Sequence, residues 1–527
     1  MRITSSLASL ASLALLLSAS LACGGSGETS SASAATGVGS GSTGMTGEAT
    51  DTSADTSTDT STDTSTDTST ESTTGATSGE PGSCPGDAPP PATLLPWARG
   101  QGALDGCEVR GVRDYRAIIH LHSPHSHDAC DGDPQPGGKL DESCLADLRE
   151  ALCVNRIDVA FLTDHPDRAL EATIEEMVLS RGEDELVRDG EDRVIGNWVV
   201  CEGGHRALII PGIEGEAMMP LGLHKHPPEG TYEESSPDSF AAAKAAGGVA
   251  WVAHTERRDV DELATLGLDG IELYQLHANL DPDIREEYLG LDPNGFLVDA
   301  LPFFFPDSDD PPEPDLATTA FVVANEPSIV ALETLGQGQR LTISAGTDAH
   351  QNVSAQKTPD GERIDSYRRM IRWFNNRLRI DGELTVASAK AALRQGRNHI
   401  VFESFGNPLG FDLFARTGDL ITEFGAEVEL APGLTIEATL PRLDARSPQG
   451  GEAPELRGVL YRADAEGRSV VAEWTEGALS FEVDAPGVYR VEVLLRPRHL
   501  IPYLGTSAAL AEVERVWIYS GAIFVRG

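Results

Sequence analysis

The feature that most constrains this chain is a repeated one: short apolar runs that end in metal-binding residue types. Ala117-Ile118-Ile119 leads into His120, and Val159-Ala160-Phe161-Leu162 into Thr163-Asp164-His165. Leu208-Ile209-Ile210 leads into Gly212-Ile213-Glu214, and Val249-Ala250-Trp251-Val252 into His254. Gly270-Ile271-Glu272-Leu273-Tyr274 leads into His277, and Leu341-Thr342-Ile343 into Asp348 and His350. Runs of this length and composition read as short buried strands. Helical patterns such as 145–151 and 240–246 lie between several of them. The alternation predicts an α/β fold, a βα barrel or a doubly wound sheet, with the polar residues gathered at the strand C-terminal ends.

Eleven of the 13 histidines fall between His120 and His350. A single histidine is more often structural than ligating, but histidines recurring beside acids at strand ends point to a metal site. His120 and His122 stand two apart on a predicted strand, so alternation puts both imidazoles on one face. His127 follows in the loop Ser123-Pro124-His125-Ser126-His127-Asp128. Asp164, His165, Glu214, His254, Asp348 and His350 complete the set, with Glu214 able to bridge two ions. Mixed imidazole and carboxylate ligands suit divalent Zn, Mn or Fe, and not an all-oxygen Ca cage. His277 reads as a pocket-lining residue, and His125 and His205 as exposed loop residues. Glu216 is a candidate proton carrier if it shares the face of Glu214, or else a solvated loop acid.

The net charge of −43 disfavours a nucleic-acid partner. It does not disfavour a small phosphorylated substrate, because bound metal ions invert the local field. Residues 1–23 read as a lipoprotein signal peptide, with Arg2, an apolar run from Leu7 to Ala22, and Ser20-Leu21-Ala22-Cys23 resembling a lipobox. An ordinary cleaved signal peptide is the alternative. The expectation is an exported protein, either secreted or anchored to the cell envelope, at the outer membrane, through lipid on Cys23. Residues 24–83, rich in Ser, Thr and Asp with an Asp-Thr-Ser-Thr repeat, read as a disordered tether, and 84–112 as a lead-in segment. Six cysteines remain after Cys23, enough for three disulfides or, alternatively, a thiolate metal site; of the 15 pairings they allow, the adjacent one, Cys84–Cys107, Cys130–Cys144 and Cys153–Cys201, is preferred.

The ordered motifs His-x-His-Ser, Leu-Thr-Asp-His, Pro-Gly-Ile-Glu, Ala-His and Gly-Thr-Asp-Ala-His resemble the PHP superfamily (polymerase and histidinol phosphatase). The resemblance implies a distorted (β/α)7 barrel over 113–402 with a two- or three-metal site. It implies His120, His122, Glu214 and Asp348 on a first ion, Glu214 and His254 on a second, and His127, His165 and His350 on a third. Asp164 would orient these ligands. The family supplies another His to the second ion shortly after the Glu. Here that stretch reads Ala217-Met218-Met219-Pro220-Leu221-Gly222-Leu223, so His226 or His224 is expected to substitute, unless the second ion is weak or absent.

From 403 the chain alternates apolar and polar residues between Gly and Pro turns, which predicts a small antiparallel β-sandwich over 403–527. Its end, Val516-Trp517-Ile518-Tyr519-Ser520-Gly521-Ala522-Ile523-Phe524-Val525, is similar to the C-terminal β module of extracytoplasmic PHP hydrolases. The activity implied is hydrolysis of a small-molecule ester, a phosphoester first, by hydroxide bridging the metals and with activity falling as pH drops below about 6. The alternatives are carboxyl- or carbamate-ester hydrolysis, or a surface binding protein with impaired catalysis. The basic stretch Tyr367–Arg379 reads either as a salt-bridged helix or as an anion grip.

Overall fold

The computed structural model describes residues 93–104 and 108–527. The signal segment, the lipobox cysteine Cys23, the tether and the Cys84–Cys107 pairing lie outside the described residues. What is described is a mixed α/β molecule with a large mixed sheet. Six parallel strands form the part that concerns function: β1 (Val112–Leu121), β2 (Val159–Asp164), β3 (Arg206–Ile213), β4 (Trp251–Val252), β5 (Gly270–Gln275) and β6 (Thr342–Ala349). They pair in the order β3-β2-β1-β6-β5-β4. Bridges Gly212↔Leu221 and Leu221↔Val249 then connect the β3 edge with the chain entering β4.

Helices cross between these strands, and their starts follow ordinary capping chemistry. Asp141 accepts from Ser143 N and Cys144 N ahead of Glu142–Val154. Ser236 caps Pro237–Ala245, and Asn325 caps Glu326–Leu335. Burial of the strands on both faces explains their near-continuous apolar runs. Val159–Asp164 and Gly270–Gln275 are buried throughout.

The C-terminal strands fall where alternation predicts them. Leu420–Glu423, Asp412–Thr417, Leu434–Thr439 and Ala478–Glu482 make a four-stranded antiparallel sheet. A second set runs from Gly467–Trp474 through Glu455–Asp464 and Gly487–Arg496 to Arg515–Tyr519 and Ile523–Arg526. This set joins the N-terminal strands. Arg515–Tyr519 pairs with Asn398–Val401, which pairs with Asn375–Ile380, which pairs antiparallel with the first half of β1.

Two disulfides match the expected pairing. Cys130–Cys144 ties the loop after β1 to the helix Glu142–Val154, and Cys153–Cys201 ties the end of that helix to the chain before β3. Among the described residues no helix is long and apolar enough to cross a membrane.

Candidate metal centre

The polar residues that follow the apolar runs meet at the C-terminal ends of the parallel strands. Simple alternation is not why His120 and His122 share a face. Ala117 and Ile119 pack in one apolar cluster with Phe161, Ile210 and Trp251, whereas Ile118 and Leu121 pack in another with Leu145 and Leu148. Unbroken alternation would place Leu121 with Ile119 and turn both histidines to the helix side. The register against β2 and β6 shifts between Ile119 and Leu121, and His120, the extra residue, has φ 65°. This bulge inverts the phase and leaves both imidazoles opposite Leu121.

Two more site residues, His254 (φ 49°) and Asp348 (φ 50°), also adopt the left-handed region. For non-glycine residues that conformation costs on the order of 1–3 kcal/mol each, and it persists where the surroundings enforce it.

His120, His122, Glu214 and Asp348 offer donor atoms that all lie within 4.8 Å of one another. His120 Nε2 is 3.0 Å from Glu214 Oε2 and 3.2 Å from Asp348 Oδ1. His122 Nε2 is 3.2 Å from each of the same two oxygens. Donors held about 2.1 Å from one ion stand about 3.0–3.5 Å apart, so the spacing fits a shared cation. Among the described residues, Nε2 of His120, His122 and His350 is buried without a hydrogen-bond partner, as expected of ring nitrogens whose lone pairs face an ion.

The opposite ring nitrogens are held. His120 Nδ1 lies 2.7 Å from Glu272 Oε1, His122 Nδ1 3.1 Å from Ser126 Oγ, and His350 Nδ1 2.9 Å from the Asp348 carbonyl. Such contacts fix the tautomer and orientation of metal-ligating histidines. Asp164 contributes in the same way without reaching the centre: it accepts from Ser123 N (2.5 Å) and Ser123 Oγ (2.8 Å), fixing the loop after His122.

A second group joins His254, His277 and Asp348. His254 Nε2 is 3.3 Å from Glu214 Oε1, so the two Glu214 oxygens face different histidines. His277 Nδ1 is 3.1 Å from Asp348 Oδ2, which also accepts from Gln275 Nε2 at 2.9 Å. His277 occupies the position sequence reasoning sought nearer Glu214. Sequence reasoning places His277 at the end of an apolar run, as it does His254, but reads it as lining the pocket and not as a ligand.

A third group is His122, His165 and His350. Asp128 Oδ2 lies 3.3 Å from His350 Nε2 and 3.8 Å from His165 Nε2, and Asp128 is a participant the sequence reading passed over. His127 is at the rim, 41% exposed, with Nδ1 3.5 Å from Asp167 and its ring 5.3 Å from that of His165.

Other candidates lie elsewhere. His226 hydrogen-bonds the Ala172 carbonyl through Nε2, and His224 Nε2 accepts from Lys390 Nζ. Neither belongs to a convergent group. Glu216 is exposed, because β3 ends at Ile213 and alternation does not extend to it. His125 is buried rather than exposed, with Nε2 3.2 Å from the Glu176 carbonyl, and His205 Nε2 is 2.8 Å from that of Ile157. The arginines of Tyr367–Trp373 are buried around carboxylates: Arg368 and Arg369 on Asp315, Arg368 also on Glu362. That arrangement is the salt-bridged helix, not an anion grip.

The electrostatics suit a cation. Burial alone would lower the His122 imidazolium pKa, but the Asp348 and Glu214 carboxylates outweigh it and raise the pKa to about 9. Burial opposes the charge on His120 too, yet Glu214, Glu272 and Asp348 raise it well above the usual value. His350 moves the other way, to about 4, through burial and the charge of His122, whose ring stacks on it at 3.7 Å. Glu214 and Asp348 stay ionised despite burial, held well below the usual carboxylate range by the histidines.

No protein-family model and no curated protein matches the chain. Among solved structures, it is similar to a two-domain protein from Bacteroides vulgatus described as containing a predicted PHP-like metal-dependent phosphoesterase. The sequence identity is 12% and the TM-score 0.27, over 81% of this chain and 99% of that chain. A superposition that loose leaves the site's own geometry as the basis for a functional reading.

Proposed function

We propose that this protein is a metal-dependent hydrolase of the PHP kind, acting on small-molecule phosphoesters. The observation that carries the proposal is the convergence of His120, His122, Glu214 and Asp348, with Nε2 of both histidines buried and unpartnered and each Nδ1 held from behind. These four would hold a first ion. Glu214, His254 and His277, with Asp348, would hold a second. His165 and His350, with Asp128 beside them and His127 at the rim, would hold a third. The ring of parallel pairings with the Leu221 bridges supports a distorted barrel, and the two C-terminal antiparallel sheets support a β-sandwich.

Divalent ions of Zn, Mn or Fe would activate water and offset charge on the departing oxyanion. The chain's own residues would do the rest. Glu214 presents one oxygen to each of two ligand sets and so fixes their separation. Glu272, Ser126 and backbone carbonyls hold the histidines in the tautomer that leaves a lone pair facing inward. His277 would supply a second imidazole beside His254 and Asp348, which favours a working hydrolase over a surface binding protein with an incomplete site. The intrachain disulfides support export, and lipid attachment at Cys23 would anchor the protein to the cell envelope.

The test is metal content together with hydrolysis of an aryl phosphate, a carboxyl ester and a carbamate by the parent and by Asp348→Ala. The expected result is two or three bound ions, phosphate-ester turnover, and loss of both in the variant. A metal-free parent, or a variant as active as the parent, overturns the proposal. Turnover of only the carboxyl ester or the carbamate reassigns the substrate class.

A further inference from the structure

One buried carboxylate serves ligands of two different ion sets. Glu272 lies in β5, is fully buried, and belongs to none of the convergent groups found among the described residues. Its Oε1 is 2.7 Å from His120 Nδ1, and its Oε2 accepts from the His254 backbone N–H at 2.9 Å. Both partners have left-handed backbones, at φ 65° and 49°. A carboxylate offers only acceptors, so the neutral His120 that would bind an ion keeps its proton on Nδ1 and gives up the one on Nε2, the atom facing Glu214 and Asp348. The second bond secures the His254 backbone turn from which Nε2 reaches Glu214. The neighbouring strand is shaped for this group: a Cβ on Gly346 would collide with Glu272 Oε1 and crowd His120 Nδ1.

We propose that Glu272 is a positioning residue that couples the ion held by His120 to the ion held by His254, so that the two are taken up as one cooperative unit. The inference rests on the proposed metal centre. Binding of either ion orders the Glu272 carboxylate, and an ordered carboxylate pre-forms the other ligand. The second ion is then bound by a site whose conformational cost has already been met.

Glu272→Gln separates the two functions, because an amide has one acceptor oxygen. With that oxygen toward His120 Nδ1, its NH2 faces the His254 N–H, donor against donor. Flipped, the NH2 faces His120 Nδ1 and favours the tautomer that places the proton on Nε2. Either orientation serves one ligand and disables the other.

The experiment is equilibrium dialysis of metal-stripped protein against graded Mn(II), counting ions per chain by mass spectrometry, with circular dichroism confirming the fold. The parent is expected to take up both ions in one steep step. Glu272→Gln is expected to split that step, with one ion weakened roughly 10- to 100-fold. Gly346→Ala retains the carboxylate but displaces it, and is expected to split the step in the same way. It decides the matter if Glu272→Gln does not fold. A parent that binds no ion overturns the metal centre and this inference with it. A parent that binds while the folded variants keep its single step, or lose both ions equally, overturns the inference alone.

Discussion

At the residue scale, the carboxylates that would hold the ions also hold protons when no ion is bound. His122 has its pKa raised to about 9 by Asp348 and Glu214, so at neutral pH an incoming cation must displace that proton. Metal affinity therefore rises with pH, by about one decade per unit for each proton displaced, and the contribution of His122 levels off near its raised value. For the metal-free protein the sign is opposite. The stabilisation from charged His122 is fully present below about 6.5 and is lost as pH climbs through about 9. Calorimetric metal titrations at pH 7 in buffers of different ionisation enthalpy are expected to show proton release that shrinks as the pH approaches about 9. Release that is absent, or constant with pH, contradicts the electrostatics described. This also moves the pH window: an ordinary imidazole suggests a threshold near 6, which ignores the two carboxylates that folding sets beside His122.

The residues legible in the sequence were those whose type and position both carried information. His120, His122, Glu214, His254, Asp348 and His350 follow apolar runs, and the structure gathers them at one end of the sheet. What local pattern could not show was a change of phase. Nothing in Ile119-His120-Leu121 announces the bulge, and alternation counted from Ala117 would have pointed the histidines to the wrong side. Glu216 fails for the related reason that its strand has already ended. His226 lies near Glu214 in sequence, but its backbone places it against Ala172, while His277, from a later strand, reaches Asp348.

At the scale of elements, the third group is braced by two devices. Cys130–Cys144 fixes the loop that carries His127 and Asp128, and Cys130 N donates to the His350 carbonyl at 3.0 Å. Behind that carbonyl, Tyr367 Oη donates to it at 3.1 Å from the first residue of the helix Tyr367–Trp373. The helix is basic and buried, with Asp315 shared among its arginines and Glu362 and Asp360 adding counter-charge on Arg368 and Arg369. Arg368 and Arg369 reach Asp315 Oδ1 at 2.5 and 2.7 Å, and Arg372 Nε lies 3.5 Å from Oδ2. Asp315→Ala would remove the carboxylate that three buried guanidinium groups share, leaving Arg368 to Glu362, Arg369 to Asp360 and Arg372 to backbone carbonyls. Removing one partner of a buried ion pair costs roughly 3–5 kcal/mol, so a denaturant midpoint well below that of the parent is expected. A variant as stable as the parent would mean that water or Glu362 and Glu313 satisfy the arginines without Asp315. The role of this basic segment was undecidable from charge alone, because its counter-ions are distant in sequence, Asp315 lying 54 positions from Arg369 and Asp114 265 positions from Arg379.

At the scale of the whole molecule, the change of pattern near residue 402 is a change of strand type without a break in the sheet. Ile400 pairs with Tyr519 and Val401 with Ile518, and Phe402 N donates to the Trp517 carbonyl at 2.9 Å. Trp517 is fully buried, with Nε1 on the Gly406 carbonyl. Arg490, in the strand Gly487–Arg496, is buried against Glu333 of the helix Glu326–Leu335, at 2.8 and 3.0 Å. The strand Asn375–Ile380, which pairs along β1 toward His120, is therefore the inner member of a sheet whose outer members come from the C-terminal stretch. A chain ended at residue 402 would expose the Asn398–Val401 edge and leave Glu333 buried without its arginine, two conditions that promote aggregation and unfolding. The full chain is expected to melt in a single calorimetric transition, and the shortened chain to be aggregated or to melt far below it with weakened metal binding. If the shortened chain instead folds, melts near the parent temperature and binds its ions with parental affinity, the shared sheet is a contact between two independent domains and not the support of the metal centre.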